Sequence, residues 1–421
     1  MQNFFLIKSY KYPFYLTLLV IPSLISGPFL PDLIISTIAL IYIYLCVVNN
    51  RLYFYKKNIY IFYISFLLYL IIILFNSSYL QLSISSSLFY FRFILFSLGL
   101  AFILSKNYEF FKKFLLINLI VISFISSDLI FQYFFKKNLF GMEIVDINNR
   151  LSGLFGDELI AGSFLSRLFF LGLIFFLIAF NFKRNYQKIL FIIYLILVTS
   201  AIFFTGERTA FFIVCFNIFL TFFSIKKFRK FILYSIILII FLFGFLNIVY
   251  PHFGKRMIQG TKEQVLGTKR IIIFSEHYES HYKISLKMFR DKPLFGHGVK
   301  SFREVCKNPK YYVDNGCSTH PHNFYVQLLA ETGLVGCFFL FFFYFYIIKM
   351  FLNYFFKEDK NNFDYIKLIL YQAIIVNFWP IQPSGNFFNN WLNIVLYIPI
   401  GLLILFESNN LKYSFLSRRK I

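Results

Sequence analysis

The residues best suited to chemistry lie in the last third of the chain. His322 is followed by Asn323, nine residues, Gly333, two residues and Gly336. An imidazole titrates near neutral pH, so His322 could act as a general base or orient a hydroxyl group. At about 100° per residue, positions 322, 329, 333 and 336 share one face if the segment is a continuous helix. The glycines would then allow close helix packing and hold the histidine on a rigid element. A lone histidine at a helix start can also be a cap or an interfacial anchor. His320 and His297 compete with His322 for the same work. No metal site is expected, because His320-Pro321-His322 lies on a Pro-broken segment with no evident third ligand.

Composition dictates the elements that must carry these groups. Of the 421 residues 59% are hydrophobic and 14% charged, whereas a soluble domain has about 25% charged residues. That excludes an ordinary soluble enzyme. Runs such as Ile59 to Phe75 and Phe231 to Val249 are apolar on every face, as helices facing lipid are. Runs able to cross about 30 Å of hydrocarbon predict twelve helices, near 12–27, 33–48, 59–75, 88–104, 114–135, 158–180, 189–204, 208–224, 231–249, 323–348, 364–379 and 391–406. Alternate loops sort by charge. Those holding Arg51, Lys106, Lys183, Lys226 and Lys349, and the tail with Arg418, are basic and fall on one side, cytoplasmic by the positive-inside rule along with both termini. The loops 27–32, 76–87 and 380–390 contain no Lys or Arg. The formal charge of +23 therefore reads as topology signals, and no nucleic-acid partner is expected. Lys8 and Lys11 precede a Pro-punctuated stretch without a small-residue cleavage site, so no removable signal peptide is expected.

The segment 250–321 is the exception, an outward loop with thirteen Lys and Arg. Long loops are exempt from the topology rule, so this charge needs another cause. The expected fold is an all-α integral membrane bundle of about twelve transmembrane helices. Residues 1–249 hold helices one to nine, 250–321 form a loop subdomain, and 322–421 hold helices ten to twelve and a cytoplasmic tail. Within the loop, Tyr282, Leu286 and Phe289 recur at helical spacing, and Asp291-Lys292-Pro293 stops the helix. PLFGHG at 293–298 reads as a tight turn whose backbone could approach a ligand, or as an ordinary surface turn. Cys306 and Cys317, the two cysteines of the loop, would pair in an oxidising compartment and tether that turn near His320 to Asn323.

The His-Asn-x9-Gly-x-x-Gly pattern, preceded by an outward basic loop with PLFGHGVKSF, resembles the O-antigen ligase and O-antigen polymerase superfamily. Three further segments agree: Asp128 to Gln132 followed by NLFG at Asn138 to Gly141, RLSGLFGDE at Arg150 to Glu158, and GERTAFF at Gly206 to Phe212. The resemblance implies an inverting glycosyltransferase without metal or other cofactor in the bacterial inner membrane, with a periplasmic active site. Its donor would be an undecaprenyl-diphosphate-linked glycan, and its acceptor a hydroxyl of another glycan repeat or of lipid A-core, in surface polysaccharide and lipopolysaccharide biosynthesis. Without a metal, a diphosphate leaving group must be neutralised by Arg or Lys. His322, Arg208 and Arg270 are the catalytic candidates, with a snorkelling charge beside Glu207 the plain alternative for Arg208 and a solvated charge that for Arg270, and Arg150, Arg92, Glu207, His320 and Asn323 are the candidates to contact substrate. Glu207 remains an alternative base. The RLSGLFGDE and loop segments look more like polymerase than ligase versions.

Arg92 and Arg167 fall inside predicted helices, where an unpaired charge costs roughly 2.5–3.5 kcal/mol. Each needs a partner, and Asp128 and Glu207 are the nearest carboxylates in the outer half. The rival class is a lipid-linked oligosaccharide flippase or another polysaccharide transporter. That architecture should show internal repeats and paired broken helices, and the sequence shows neither.

Overall fold

In hydrocarbon every backbone N–H and C=O must be satisfied internally, which leaves long apolar segments the α-helix. The computed structural model describes residues 10–50, 57–144, 150–250, 253–266 and 274–408, and among these it is helical with no strand. The first part comprises α1 (Lys11–Ser23), α2 (Phe29–Val48), α3 (Lys57–Leu74), α4 (Leu80–Ser87), α5 (Phe91–Ser105), α6 (Tyr108–Phe135), α7 (Ala161–Ala179), α8 (Asn185–Phe204), α9 (Arg208–Ser224) and α10 (Arg229–Val249). The loop region contributes α11 (Gly260–Leu266), α12 (Glu276–Asp291) and the single turn α13 (Phe302–Val305). The chain closes with α14 (Phe324–Phe355), α15 (Asn362–Asn377) and α16 (Asn390–Glu407). A helix stands at each of the twelve predicted positions. Among the described residues eight spans, one joining α4 to α5, are long and apolar enough to cross a membrane.

Asparagine caps set several ends. Asn107 accepts from Glu109 N and starts α6 earlier than the hydropathy suggests, while Asn361 and Asp364 form a capping box on α15. The outer segment 76–87, expected to be a short loop, is largely helical. Its α4 buries Ser83 and Ser87, and Ser83 donates to Val299 O at 2.8 Å, so serines that would otherwise favour a loop find partners in the docked region.

Helix α5 lies between α2 and α16. Small residues permit this approach: a Cβ at Gly99 would come within 2.8 Å of Ile38, and one at Gly401 within 2.8 Å of the Ser97 carbonyl. Of the α7 span 89% is buried, against 17% for the α10 span, so α7 is the bundle's centre and α10 faces lipid.

The segments around 128–156 form one polar hub. Asp128 accepts from Leu139 N at 2.9 Å and Gln132 from Gly153 N at 2.9 Å. Asn138 accepts from Phe140 N and Met142 N and donates to Gly153 O. In the loop region Ile284, Met288, Phe302, Val305, Cys306 and Tyr311 bury a small cluster of their own against Ala330 of α14. Helix α12 ends at Asp291, but its buried face is His281, Ile284, Ser285 and Met288. Leu286 is 42% exposed, correcting the expected apolar stripe; the cluster under α12 meets the neighbouring face.

Candidate active site

The expected continuous stripe through positions 322, 329, 333 and 336 does not exist. His322 precedes the helix with φ +58°, Asn323 is its N-cap, and the helix breaks at Gly333 (φ +65°, ψ −167°). The PLFGHG turn fills the break. Helix carbonyls of Ala330 and Glu331 accept from His297 N (3.1 Å) and Gly298 N (2.8 Å), while Leu334 N and Val335 N donate to the carbonyls of Pro293 (2.8 Å) and Leu294 (3.4 Å). The Tyr69 hydroxyl donates to the Thr332 carbonyl. A Cβ at Gly333 would lie 2.3 Å from the Leu294 carbonyl oxygen, so this glycine serves backbone conformation and loop approach, not helix packing. Gly336 packs on Thr332 and Tyr69.

Glu331 completes the dock. Its fully buried carboxylate accepts from Lys300 N (3.0 Å), Phe302 N (3.1 Å) and Gln327 Nε2 (2.9 Å). His297 is buried within this structure, its Nε2 donating to the Met288 carbonyl at 3.1 Å, so it holds the turn and leaves the base role. Cys306 and Cys317 form a disulfide with Cα atoms 5.3 Å apart. It ties the strip leading to His320 to α13, which Glu331 anchors.

Four rings meet above the start of α14. The His322 ring centroid lies 4.0 Å from His320, 5.3 Å from Tyr278 and 5.5 Å from His281. His281 Nδ1 donates to the Gly316 carbonyl at 2.8 Å, while His320 Nε2 has no hydrogen-bond partner among the described residues. Burial, then the neighbouring imidazoles, hold His320 and His322 well below the usual histidine range. His322 is therefore a neutral imidazole at neutral pH, the form that accepts a proton. Asn323 is committed to the fold rather than to a ligand: it accepts from Tyr325 N and Val326 N and donates to the carbonyls of Pro380 and Gln382. The same loop grips His322, whose carbonyl accepts from Ser384 N at 2.8 Å.

The arginines gather at the α8–α9 turn. Gly206 (φ +73°) makes the turn, and Glu207 accepts from Gly162 N (2.7 Å) and Ser163 N (3.1 Å), capping α7 from across the bundle. Each carboxylate oxygen thus accepts from one amide of α7, which makes Glu207 an anchor of the turn. Arg256 Nε donates to the Gly206 carbonyl at 3.0 Å, Arg208 Nη2 to the Arg256 carbonyl at 3.2 Å, and Arg150 Nη2 to the Leu159 carbonyl at 3.1 Å. A Cβ at Gly206 would meet Arg256 at 2.7 Å and Arg150 at 3.6 Å. Three arginine side chains therefore meet at one turn, with Tyr278 close enough to Arg208 to interact electrostatically, and Tyr278 packs on the His322 ring.

Arg167 is buried below this turn, donating to Ser163 Oγ (3.1 Å) and Asn377 Oδ1 (2.6 Å) near Glu207. Arg92 has a different partner from either carboxylate expected: it pairs with Asp32 at 3.0 Å, because the start of α5 sits beside α2, and it lies by Lys300 rather than by the arginines at Gly206. Asp128 lies in the polar hub, its Oδ1 bonded to Leu139 N and its Oδ2 buried without a hydrogen-bond partner among the described residues. Arg270 lies outside the described residues. Arg256, Tyr278, His281 and Arg303 escaped the sequence reading. The loop's basic excess pointed to its arginines as a group, and Tyr278 and His281 are one turn apart on α12, but neither signal singles out a residue.

Among the described residues no group of three His, Cys, Asp or Glu side chains is arranged to hold a metal ion. Residues 193–341 match the family model described as O-antigen ligase. The match spans Gly206 to Arg208, the loop region, the histidines and the break at Gly333. No curated protein matches the chain.

Proposed function

We propose that this chain, a member of the O-antigen ligase and polymerase superfamily, transfers a glycan from undecaprenyl diphosphate to an acceptor hydroxyl at the periplasmic face of a bacterial inner membrane. About twelve helices would cross the bilayer, with the 250–321 region outside. The observation that carries the reading is the convergence of Arg150, Arg208 and Arg256 on the Gly206 turn, linked through Tyr278 to His322. Three guanidinium groups supply the fixed positive charge that a departing diphosphate needs when no metal takes part.

In this mechanism the acceptor hydroxyl passes its proton to neutral His322 as its oxygen attacks the anomeric carbon. The bond from that carbon to the diphosphate oxygen breaks, and undecaprenyl diphosphate leaves with the bonding pair. Attack opposite the leaving group inverts the anomeric centre. Glu207, Glu331 and Asn323 act at one remove: they fix the arginine turn, the loop and the base. The RLSGLFGDE segment favours a polymerase over a ligase. The test is transfer by purified protein in proteoliposomes with a lipid-linked repeat as donor and chelator present. Extended or attached glycan supports the reading. Translocation of lipid-linked repeats without any new glycosidic bond would replace it with the flippase reading.

A further inference from the structure

The region 297–303 is built more rigidly than a surface turn requires. Glu331 holds its amides at 300 and 302, Ser83 donates to the Val299 carbonyl, and a Cβ at Gly298 would lie 2.2 Å from Ser77 Oγ. On this clamped segment Lys300, at φ +57°, and Arg303, in the turn of α13, stand three residues apart, and the charges of Arg303 and Arg92 both disfavour a charged Lys300. The acids nearby are fewer than the cations: Asp32 pairs with Arg92, and the one Glu331 carboxylate, which accepts from two backbone amides and Gln327, faces both Lys300 and Arg303. Arg303 Nε is buried without a hydrogen-bond partner among the described residues. The Cys306–Cys317 bridge draws the strip leading to His320 against α13, which carries Arg303, and the His320 ring is 4.0 Å from His322. Like charges fixed side by side in a half-buried site cost free energy until an anion joins them.

We propose that Lys300 and Arg303 form a second anion subsite, which binds a phosphate group carried by the acceptor. It lies at the far end of the row Arg208, Tyr278, His322, His320, Arg303, whose first member belongs to the leaving-group site. The base then stands between two anionic anchors, one for each glycan, so that the accepting hydroxyl is aimed by its own phosphate. This rests on the transferase reading above, and the experiment separates the two.

Binding of farnesyl diphosphate to the purified full chain is counted by native mass spectrometry. Wild type takes up two equivalents, Lys300→Ala/Arg303→Ala one, and Arg208→Ala/Arg256→Ala one. The equivalent retained in each variant shows that it is folded, and Arg303→Lys keeps both. In the transfer assay at saturating donor, Lys300→Ala/Arg303→Ala raises KM for a phosphorylated acceptor by about tenfold, the order expected for losing charge-assisted hydrogen bonds. It leaves KM for the phosphatase-treated acceptor unchanged. A single equivalent in wild type, or two in the Lys300/Arg303 variant, overturns the subsite. An equal KM shift with both acceptors overturns its assignment to acceptor phosphate. Absence of transfer by wild type that still binds two equivalents would instead sink the transferase reading alone.

Discussion

Two turns in this molecule carry family-like motifs, and they use their polar groups in opposite ways. At Asn138 to Gly141 Asp128 Oδ1, Gln132 and Asn138 bond backbone groups of the same hub, and Asp128 Oδ2 is buried there without a hydrogen-bond partner among the described residues. At Gly206 to Arg208 the backbone and Glu207 are absorbed, while the side chains of Arg150, Arg208 and Arg256 crowd the turn. The first turn spends its amides on the fold, whereas the second gathers fixed positive charge, the kind of group an anionic ligand requires.

Substitution in the two turns should separate accordingly. Arg208→Ala is expected to lower the transfer rate by about two orders of magnitude or more, the scale of losing a preorganised electrostatic group, with unchanged thermal stability. Arg208→Lys keeps the charge but loses the fork and should fall between. Asn138→Ala should do the reverse, lowering stability by about 2–3 kcal/mol through unsatisfied buried amides while the folded fraction keeps its specific activity. Thermal unfolding in detergent beside per-molecule rates reads both, and an Asn138→Ala enzyme that is stable but inactive would break the contrast.

Gly333→Ala tests the docking of the loop. A left-handed backbone and a Cβ 2.3 Å from the Leu294 carbonyl oxygen leave no room for it, so the variant should lose stability and the protease resistance of the 293–303 segment. The Cys306–Cys317 bridge is a smaller contribution: Cys306→Ser/Cys317→Ser should cost about 2–3 kcal/mol in the chain-entropy model, seen as a lower unfolding midpoint only under non-reducing conditions.

The smallest expected effect is on pH dependence. A histidine at its ordinary value would begin to protonate near pH 6.5, but His322 is held lower by burial and by His281. It stays neutral, and able to accept a proton, to more acid pH. The acid limb of kcat/KM should therefore lie below pH 6.5, and an acid limb at or above that value would count against His322 as the base.

Much of the fold was legible because hydrophobic run length is a local property: every one of the twelve runs became a helix. The site was legible where residues neighbour each other in sequence, as in Glu207-Arg208 and His320-Pro321-His322. It was not legible where distant segments supply the partner. Gly333 fits a continuous helix equally well, and only the arrival of Pro293 to Gly298 at the break reveals its use. Likewise Arg92 finds Asp32 through the packing of α5 on α2, and Arg256 reaches Gly206 across fifty positions.

The central claim is that His322 takes the acceptor's proton while the arginines at Gly206 hold the leaving group. It is tested most directly by His322→Ala in proteoliposomes, with transfer and donor binding measured on the same preparation. The account predicts that the variant inserts normally, binds farnesyl diphosphate with the wild-type stoichiometry, and forms no detectable glycan product. Wild-type glycan laddering by that variant would contradict it.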